Sequence, residues 1–146
     1  MADLVFSSEQ KKRIKAAIEE AELNTSGEIR VHLEDHCKTD NVLDRAAQMF
    51  DQLNMHKTDT RNGVLIYMAV KENKFAIIGD SGINEKVEND FWDITKEKML
   101  GHFKTGDLTK GLVEGIICTG ARLKEHFPYL KADKNELSDD ISFGKN

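Results

Sequence analysis

The spacing of apolar residues along the chain switches repeatedly between a helical period and a strand period. A capping-box pair, Ser7 and Gln10, precedes a run with the spacing of one helix face, made of Ile14, Ala17, Ile18 and Ala21. This pattern predicts an amphipathic helix that ends near Leu23. After a break at residues 25–27, apolar positions 29, 31 and 33 alternate with polar ones, which predicts a strand with one solvent-exposed face near a sheet edge.

A second helix and a pair of strands are predicted next. Apolar positions recur at helical spacing from about Asp40 to Asn54, which predicts a helix. Residues 64–70 are apolar without alternation, a pattern typical of a strand buried on both faces at the centre of a sheet. Residues 75–79 are predicted to return antiparallel, because the polar turn between the two strands is too short for a parallel crossover.

Two further helices are predicted in the carboxyl-terminal half. The third carries apolar residues between positions 87 and 99, including Trp92, which we assign to the core. The fourth begins at Leu108 and precedes Pro128, and its Gly111 and Gly115 lie one turn apart, so that a neighbouring element can approach the backbone. Residues 131–146 are charged with scattered apolar positions, which predicts a loosely ordered tail in which one short segment can dock.

Composition restricts the classes of function. A chain of 146 residues with 39% apolar residues is the size of one domain, which we place at residues 1–130. A net charge of −5 gives no electrostatic footprint for nucleic acid. The amino terminus lacks a signal-peptide pattern, and no run has the length of a membrane helix, so we expect a cytoplasmic protein without membrane insertion. Cys37 and Cys118 lack the paired spacing of a zinc site.

The order of the predicted elements brings distant polar residues together. It predicts a mixed sheet with helices on both faces, in which a right-handed crossover makes the first two strands parallel. The starts of the first and second strands and the end of the third strand then meet at one rim of the sheet. That rim carries hydroxyl, carboxylate, guanidinium and amide groups from Ser26, Glu28, Arg61, Asn62, Asp80 and Glu85.

These groups favour a site for a hard cation or a phosphate, because calcium and magnesium prefer oxygen ligands and a glycine-flanked turn can hold an anion. We assign the carboxylates as metal ligands, namely Glu28, Asp80 and Glu85. We assign the remaining groups to substrate binding, namely Ser26, Arg61 and Asn62. Catalytic residues stay unassigned, and no organic cofactor is expected.

A purely structural role is the alternative for these residues. Asp80 can shape a turn and cap the following helix, and Asn62 is in a position typical of turn chemistry. Arg61 can be a solvated surface charge and Glu28 an exposed strand position. Spacing alone does not separate this alternative from the ligand-binding hypothesis.

Four segments of the sequence carry a resemblance to a known family. They are Thr25–Val31, Asn62–Ile66, Gly79–Ile83 and Phe103–Leu108, the last followed by Gly111 and Leu112. These strand and turn segments resemble the TPM domain over about residues 5–128, in its small stand-alone cytoplasmic bacterial form. The resemblance implies an α/β fold, a three-layer α/β/α sandwich with a mixed, mostly buried sheet.

The resemblance also implies an activity. A plant member of the TPM domain family is a weak acid phosphatase that binds calcium at acidic residues near a cleft. After the third strand many members read Gly-Tyr-Gly-Leu-Glu, whereas this chain reads Gly79-Asp-Ser-Gly-Ile-Asn-Glu85. Asn84 or Glu85 therefore takes the acidic position, which changes the number and charge of the cation ligands.

Two functional hypotheses follow. The first is a TPM-like domain that binds calcium or magnesium at the rim and weakly hydrolyses phosphomonoesters with a metal-activated water, since no Cys or Ser is placed as a nucleophile. The second is a non-enzymatic interaction or accessory module for a membrane-associated protein partner, which docks through the cleft or the charged tail. The residues favour neither hypothesis, because a fold does not carry function by itself, and they leave the oligomeric state open.

Overall fold

The computed structural model describes residues 5–129 and 139–144 of the chain. Five helices lie within these ranges: α1 (Ser8–Glu22), α2 (Val42–Gln52), α3 (Ser81–Asn84), α4 (Asp93–Lys104) and α5 (Leu108–Leu123). The same ranges contain four strands: β1 (Glu28–Glu34), β2 (Gly63–Ala69), β3 (Lys74–Gly79) and β4 (Ser142–Phe143). The predicted order of helices and strands is confirmed, with the short elements α3 and β4 added.

The four strands form one mixed sheet in the order β3-β2-β1-β4. β1 runs parallel to β2, and β2 runs antiparallel to β3, as the crossover and hairpin arguments predicted. β4 pairs in parallel with the outer side of β1, placing Ser142 opposite His32 and Phe143 opposite Leu33. β1 is therefore an edge strand only where β4 does not cover it.

Helices cover both faces of the sheet. α1, α4 and α5 pack on one face, where Val64 and Ile66 of β2 enter the larger core. α2 packs on the other face, against Leu65 and Tyr67. Every residue of β2 is buried, which confirms the strand predicted to be covered on both faces and the three-layer α/β/α sandwich. None of the helices in the described ranges is both long enough and apolar enough to cross a membrane.

The prediction that one face of β1 meets solvent is wrong. Glu28, His32 and Glu34 on that face are all buried. The Glu34 carboxylate accepts hydrogen bonds from the Arg45 guanidinium of α2 and, at 2.7 Å, from the Tyr67 hydroxyl. Burial raises the carboxyl pKa, but these hydrogen bonds outweigh burial and hold the pKa of Glu34 at about 2. The polar residues that alternate along β1 therefore belong to a buried ionic network, because Arg45 of α2 supplies the positive charge that Glu34 needs.

The third helix begins later than predicted, because Val87, Phe91 and Trp92 precede α4 and lie outside any helix. α3 ends at Asn84, and residues 85–92 form turns before α4 begins at Asp93. Phe91 and Trp92 are consecutive in sequence and both buried, as expected for core residues. Consecutive residues of a helix point about 100° apart, so the turn segment buries both rings more easily than one helix face would.

The glycines of α5 allow two helices to approach its backbone. Gly111 and Gly115 both face α4, where an added Cβ would lie 2.3 and 2.4 Å from side-chain atoms. This arrangement confirms the predicted close approach. On the side that faces α1, a Cβ on Gly120 would lie 2.8 Å from the Cβ of Ala21 and 2.9 Å from its carbonyl oxygen.

Residues 139–144 of the predicted tail dock on the body of the domain. Ile141 and Phe143 pack against the larger core. Lys15 of α1 forms an ion pair of 2.9 Å with Asp140. The other residues of the predicted tail, 131–138 and 145–146, lie outside the described residues.

A carboxyl pair lies beside this docked segment. Glu22 at the end of α1 forms a side-chain hydrogen bond with Asp139, and its Oε2 accepts the N–H of Ile29 at 2.9 Å. Burial raises the pKa of Glu22 well above its usual range, and the hydrogen bond with Asp139 and the charge of Glu28 raise it further. A carboxyl–carboxyl hydrogen bond needs a proton, so docking of the segment favours a protonated Glu22.

Gly120→Ala should destabilise the fold. Its Cβ would press on the backbone of α1, and overpacking of this kind costs about 1–3 kcal/mol. Gly101→Ala is the matched control, because nothing lies within 4 Å of its Cβ position on α4. That substitution should raise the free energy of unfolding by about 0.5–1 kcal/mol through helix propensity. Urea unfolding measures both, and equal effects of the two substitutions would contradict the α1–α5 packing.

Glu22→Gln should stabilise the domain at neutral pH and leave it unchanged in acid. Because the folded-state pKa is raised, the stability that Glu22 contributes is full below its ordinary value of 4.5 and is lost as pH rises toward the raised value. The amide needs no proton for the bond to Asp139. At pH 7.5 the melting temperature should rise by about 2 °C or more. Glu20→Gln, an exposed neighbour on α1, is the control, and a Glu22→Gln effect that is independent of pH would contradict the shared proton.

Candidate functional site

Strand pairing places the predicted site residues at one rim of the sheet. Glu28 at the start of β1 lies opposite Gly63 at the start of β2. Asp80 directly follows β3, and its backbone N–H donates to the carbonyl of Gly63 at 2.9 Å. Asn62 directly precedes β2, and its carbonyl accepts the N–H of Glu28 at 3.3 Å. The predicted meeting of these segments at a single rim is therefore confirmed.

Asp80 is buried at this rim, with only 3% of the residue exposed. Its carboxylate accepts two hydrogen bonds from the Arg61 guanidinium, from Nε at 2.8 Å and from Nη2 at 2.9 Å. The backbone N–H of Ser81 donates to Oδ1 at 2.8 Å. Burial raises the pKa of Asp80, but the hydrogen bonds from Arg61 and Ser81 outweigh burial and lower it. Asp80 is therefore ionised, and the Arg61 guanidinium binds both of its carboxylate oxygens.

His56 completes this cluster, and sequence reasoning missed it. Its Nδ1 lies 3.1 Å from Asp80 Oδ1 and its Nε2 lies 2.7 Å from Asp51 Oδ1. The hydrogen bond with Asp51 is the main cause that raises the pKa of His56, and Asp80 adds to it. His56 stands in a polar loop with no periodic pattern, so only the tertiary contact between this loop and the end of β3 identifies it.

The backbone around Arg61 is unusual. Arg61 adopts the left-handed conformation, with φ of 53°, and its carbonyl accepts the N–H of Gly82 at 2.9 Å. A Cβ on Gly82 would lie 2.1 Å from the carbonyl oxygen of Thr60. A glycine is therefore required where α3 meets the loop before β2. The hydrogen bond from Gly82 to the Arg61 carbonyl holds the loop before β2 next to Asp80, the residue that the Arg61 guanidinium binds.

Asn62 contributes a buried oxygen to the rim. The residue is 1% exposed, and its N–H donates to Thr58 Oγ1 at 3.1 Å. Its Nδ2 donates to Ser26 Oγ at 3.4 Å, so the predicted pair Ser26 and Asn62 is brought together. Its Oδ1 is buried and has no hydrogen-bond partner among the described residues. A buried amide oxygen without a partner is costly in a folded protein, which makes this atom a candidate ligand atom.

The two remaining predicted metal ligands differ in environment. Glu28 is 3% exposed, so its alternative role as an exposed strand residue is wrong. Glu85 is exposed at the C-terminal end of α3. The pKa of Arg61 is raised, first by its hydrogen bond with Asp80 and to a smaller extent by the charge of Glu85, so Glu85 acts on the same guanidinium.

The structural alternative for Asp80 and Arg61 is partly correct. Asp80 is the N-cap residue of α3, as the alternative predicted. Arg61 is not simply a solvated charge, because it binds Asp80, although 46% of its side chain remains exposed. Asp80 therefore has a structural role as the cap of α3, while Arg61, its charged partner, remains accessible to solvent.

A divalent cation meets competition at this rim. Calcium requires about six to eight oxygen ligands, and both oxygens of Asp80 already accept hydrogen bonds from Arg61. In residues 5–129 and 139–144, no group of three or more His, Cys, Asp or Glu side chains has the geometry of a metal site. The residues therefore fit a hard cation only if the Arg61 guanidinium leaves Asp80, after which Asp80 and the free Oδ1 of Asn62 supply oxygens.

Solved structures with this fold are known. The NMR structure of BA42 protein from the psychrophilic bacterium Bizionia argentinensis is similar, with a TM-score of 0.90 and 47% identity over 95% of each chain. The N-terminal domain of cg2496 from Corynebacterium glutamicum has a TM-score of 0.64 at 13% identity, over 97% of this chain and 81% of that one. The N-terminal domain of a P. gingivalis protein has a TM-score of 0.66 at 17% identity, over 84% and 78%. The last two show the fold alone.

A family model for the TPM domain matches residues 2–121, close to the span that the sequence motifs predicted. No protein with a curated description matches the chain. The family model covers most of the chain, and the helices and strands that carry the predicted motifs fold as described above. The chain therefore belongs to the TPM domain family.

Proposed function

We propose that the rim formed by Glu28, Asn62 and Asp80 binds a divalent cation, calcium or magnesium, in competition with Arg61. The observation that carries the proposal is the buried Oδ1 of Asn62, which has no partner among the described residues. It lies at the same rim as the Asp80 carboxylate, one residue from the carbonyl that Asp80 binds. A cation would satisfy this oxygen, which no residue in the described ranges does.

Arg61 acts as the internal competitor for the cation. Its guanidinium neutralises Asp80 while no cation is bound, because a bidentate ion pair satisfies both carboxylate oxygens. The Arg61 side chain is half exposed, and an ion pair that is open to water is weak enough to be exchanged. The proposal therefore predicts weak binding of the cation, which improves when the guanidinium is removed.

Displacement of Arg61 would also create a place for an anion. Once released from Asp80, its guanidinium can contact a phosphate group, which it matches in geometry. His56, whose pKa is raised, can donate to the same group. A bound cation supplies an activated water and offsets charge on a phosphoryl group. We therefore extend the proposal to a weak phosphomonoesterase activity, with Arg61 and His56 as substrate-binding residues.

The second function, a non-enzymatic module for a membrane-associated protein partner, stays a prediction. The charged tail was one of the two surfaces expected to bind this partner. Residues 139–144 of the tail are already packed on the body of the domain. A partner that uses those residues would have to displace them first. The rim itself remains accessible through Arg61 and His56, whose side chains are 46% and 45% exposed.

Two substitutions should change cation affinity in opposite directions. Asp80→Asn removes the ligand charge but keeps a good N-cap for α3, and it should weaken calcium binding about tenfold or more. Arg61→Gly suits the left-handed backbone and removes the competing cation, so it should tighten binding about tenfold or more. Lys98→Ala on α4 is the control for lost positive charge. Amide NMR titration with calcium and with magnesium gives the affinities.

Two results would contradict the proposal. One is the absence of shifts at the amides of Asn62, Asp80 and Glu85 at millimolar cation in both the natural chain and Arg61→Gly. The other is weaker calcium binding by Arg61→Gly, because competition requires the reverse. Hydrolysis is tested separately with p-nitrophenyl phosphate, and failure of that assay alone would remove only the phosphomonoesterase extension.

A further inference from the structure

A cavity of about 860 Å³ lies between α4, α5 and the turns of residues 85–92, and we call it the α4–α5 cavity. Cavities of about 300–1,000 Å³ that combine apolar side chains with a few polar groups are typical binding sites for small molecules. The residues that line this cavity are distinct from the rim that carries Asp80. Its size and position therefore suit a ligand other than the cation proposed for that rim.

The apolar lining of the α4–α5 cavity follows one side of α5. Val113, Ile117 and Ala121 recur every four residues, which places them on the same face of this helix. Val113 and Ile117 are only partly buried, and Ile94 of α4, which lines the same cavity, is 48% exposed. Water therefore contacts apolar surface here, and an apolar chain laid along α5 would displace it with a gain in free energy.

Arg122 places a positive charge without an ionic partner at one end of this lining. The guanidinium stacks on the Phe91 ring, with Cζ 4.8 Å from the ring centroid, and Nη2 donates to the Phe91 carbonyl at 3.1 Å. Nε is buried and has no hydrogen-bond partner within residues 5–129 and 139–144. A guanidinium that is already held in place loses little further freedom when it binds an anion, so Arg122 is prepared for one.

The other charged groups of the α4–α5 cavity are paired or open to solvent. Nε2 of His102 lies 2.8 Å from Oε2 of Glu114, and the Lys86 ammonium lies over the Phe127 ring, 4.5 Å from its centroid. Three further carboxylates of the lining are exposed, those of Glu88, Asp90 and Glu125. These exposed negative charges would repel an anionic membrane surface or a nucleic acid. The anion that fits is therefore a small molecule with a single charged group.

We propose that the α4–α5 cavity binds a small amphipathic carboxylate, a free fatty acid such as octanoate or decanoate. The carboxylate contacts the Arg122 guanidinium, which matches it in geometry, and the aliphatic chain lies along the apolar face of α5. From Arg122 back to Val113 the helix rises about 13 Å, close to the length of an extended chain of about ten carbons. The proposal is independent of the proposed function, since the two sites share no residue.

Three probe molecules test the proposal on the natural chain. Octanoate should produce saturable methyl NMR shifts at Ile94, Val113 and Ile117. Octanol, which has the same chain without the charge, should bind about tenfold or more weakly, because it forms no charge-assisted hydrogen bond with Arg122. Acetate should give no saturable shift in the same millimolar range, because it lacks the chain. This comparison needs no substitution, so it holds whatever the stability of any variant.

Two pairs of variants separate the roles of charge and apolar surface. Arg122→Gln should weaken octanoate binding about tenfold or more and leave octanol binding unchanged. Lys124→Gln, exposed just after α5 and outside the cavity, is the control for the lost charge. Ile94→Ser should weaken octanoate and octanol alike, by about threefold or more. Leu100→Ser is its control, because Leu100 is 41% exposed on the same helix and does not line the cavity.

Four results would overturn the proposal. The first is the absence of saturable methyl shifts with octanoate in the millimolar range, and the second is octanol binding as tight as that of octanoate. The third is an equal loss of octanoate affinity in Arg122→Gln and Lys124→Gln. The fourth is a change of the same methyl shifts with protein concentration alone, because a second copy of the chain would then be the occupant of the groove.

Discussion

Burial of β2 on both faces is the constraint on which the rest of the structure depends. A strand with every residue buried needs a helical layer on each side, and α2 supplies one while α1, α4 and α5 supply the other. The two neighbours of β2 then run in opposite directions, β1 parallel through a helical crossover and β3 antiparallel through a hairpin. This topology brings residues 28, 62 and 80 to one rim, although they are far apart in sequence.

Charged groups at the two ends of the sheet are stabilised in different ways. At one end Glu34, Arg45 and Tyr67 form a network that is almost completely buried, and breaking it would leave an unpaired charge in the core. At the other end the Asp80 carboxylate is buried but its partner Arg61 is half exposed. The first arrangement is closed and structural. In the second arrangement solvent reaches Arg61, so its guanidinium can move away from Asp80 and leave the carboxylate open to a ligand. The rim with Asp80 is therefore the better candidate for ligand binding.

Membership of the TPM domain family establishes the fold and not the chemistry. In this chain Asp80 directly follows β3, and its carboxylate is already bound by the Arg61 guanidinium. Both the local and the long-range contacts of Asp80 have structural value, since it caps α3 and fixes the loop before β2.

The sequence by itself determined the order of the main helices and strands, but not the short elements α3 and β4 or the start of α4. The unbroken apolar run of β2, the short turn after it and the paired glycines of α5 are local signals, and each was interpreted correctly because burial and turn geometry depend on neighbouring residues. These signals also predicted that Asn62 and Asp80 share a rim, since strand direction follows from the length of the connections.

Only the tertiary structure decided how the polar residues are used. His32 and Glu34 alternate with apolar residues as solvent-exposed positions would, and they are buried because Arg45, from another element, neutralises Glu34. His56 joins the rim through contacts across the fold that leave no periodic pattern in the sequence. The docking of residues 139–144 on β1 depends equally on distant partners. A charge is accepted inside a protein only when its partner is present, and that partner is fixed by packing in three dimensions and not by spacing along the chain.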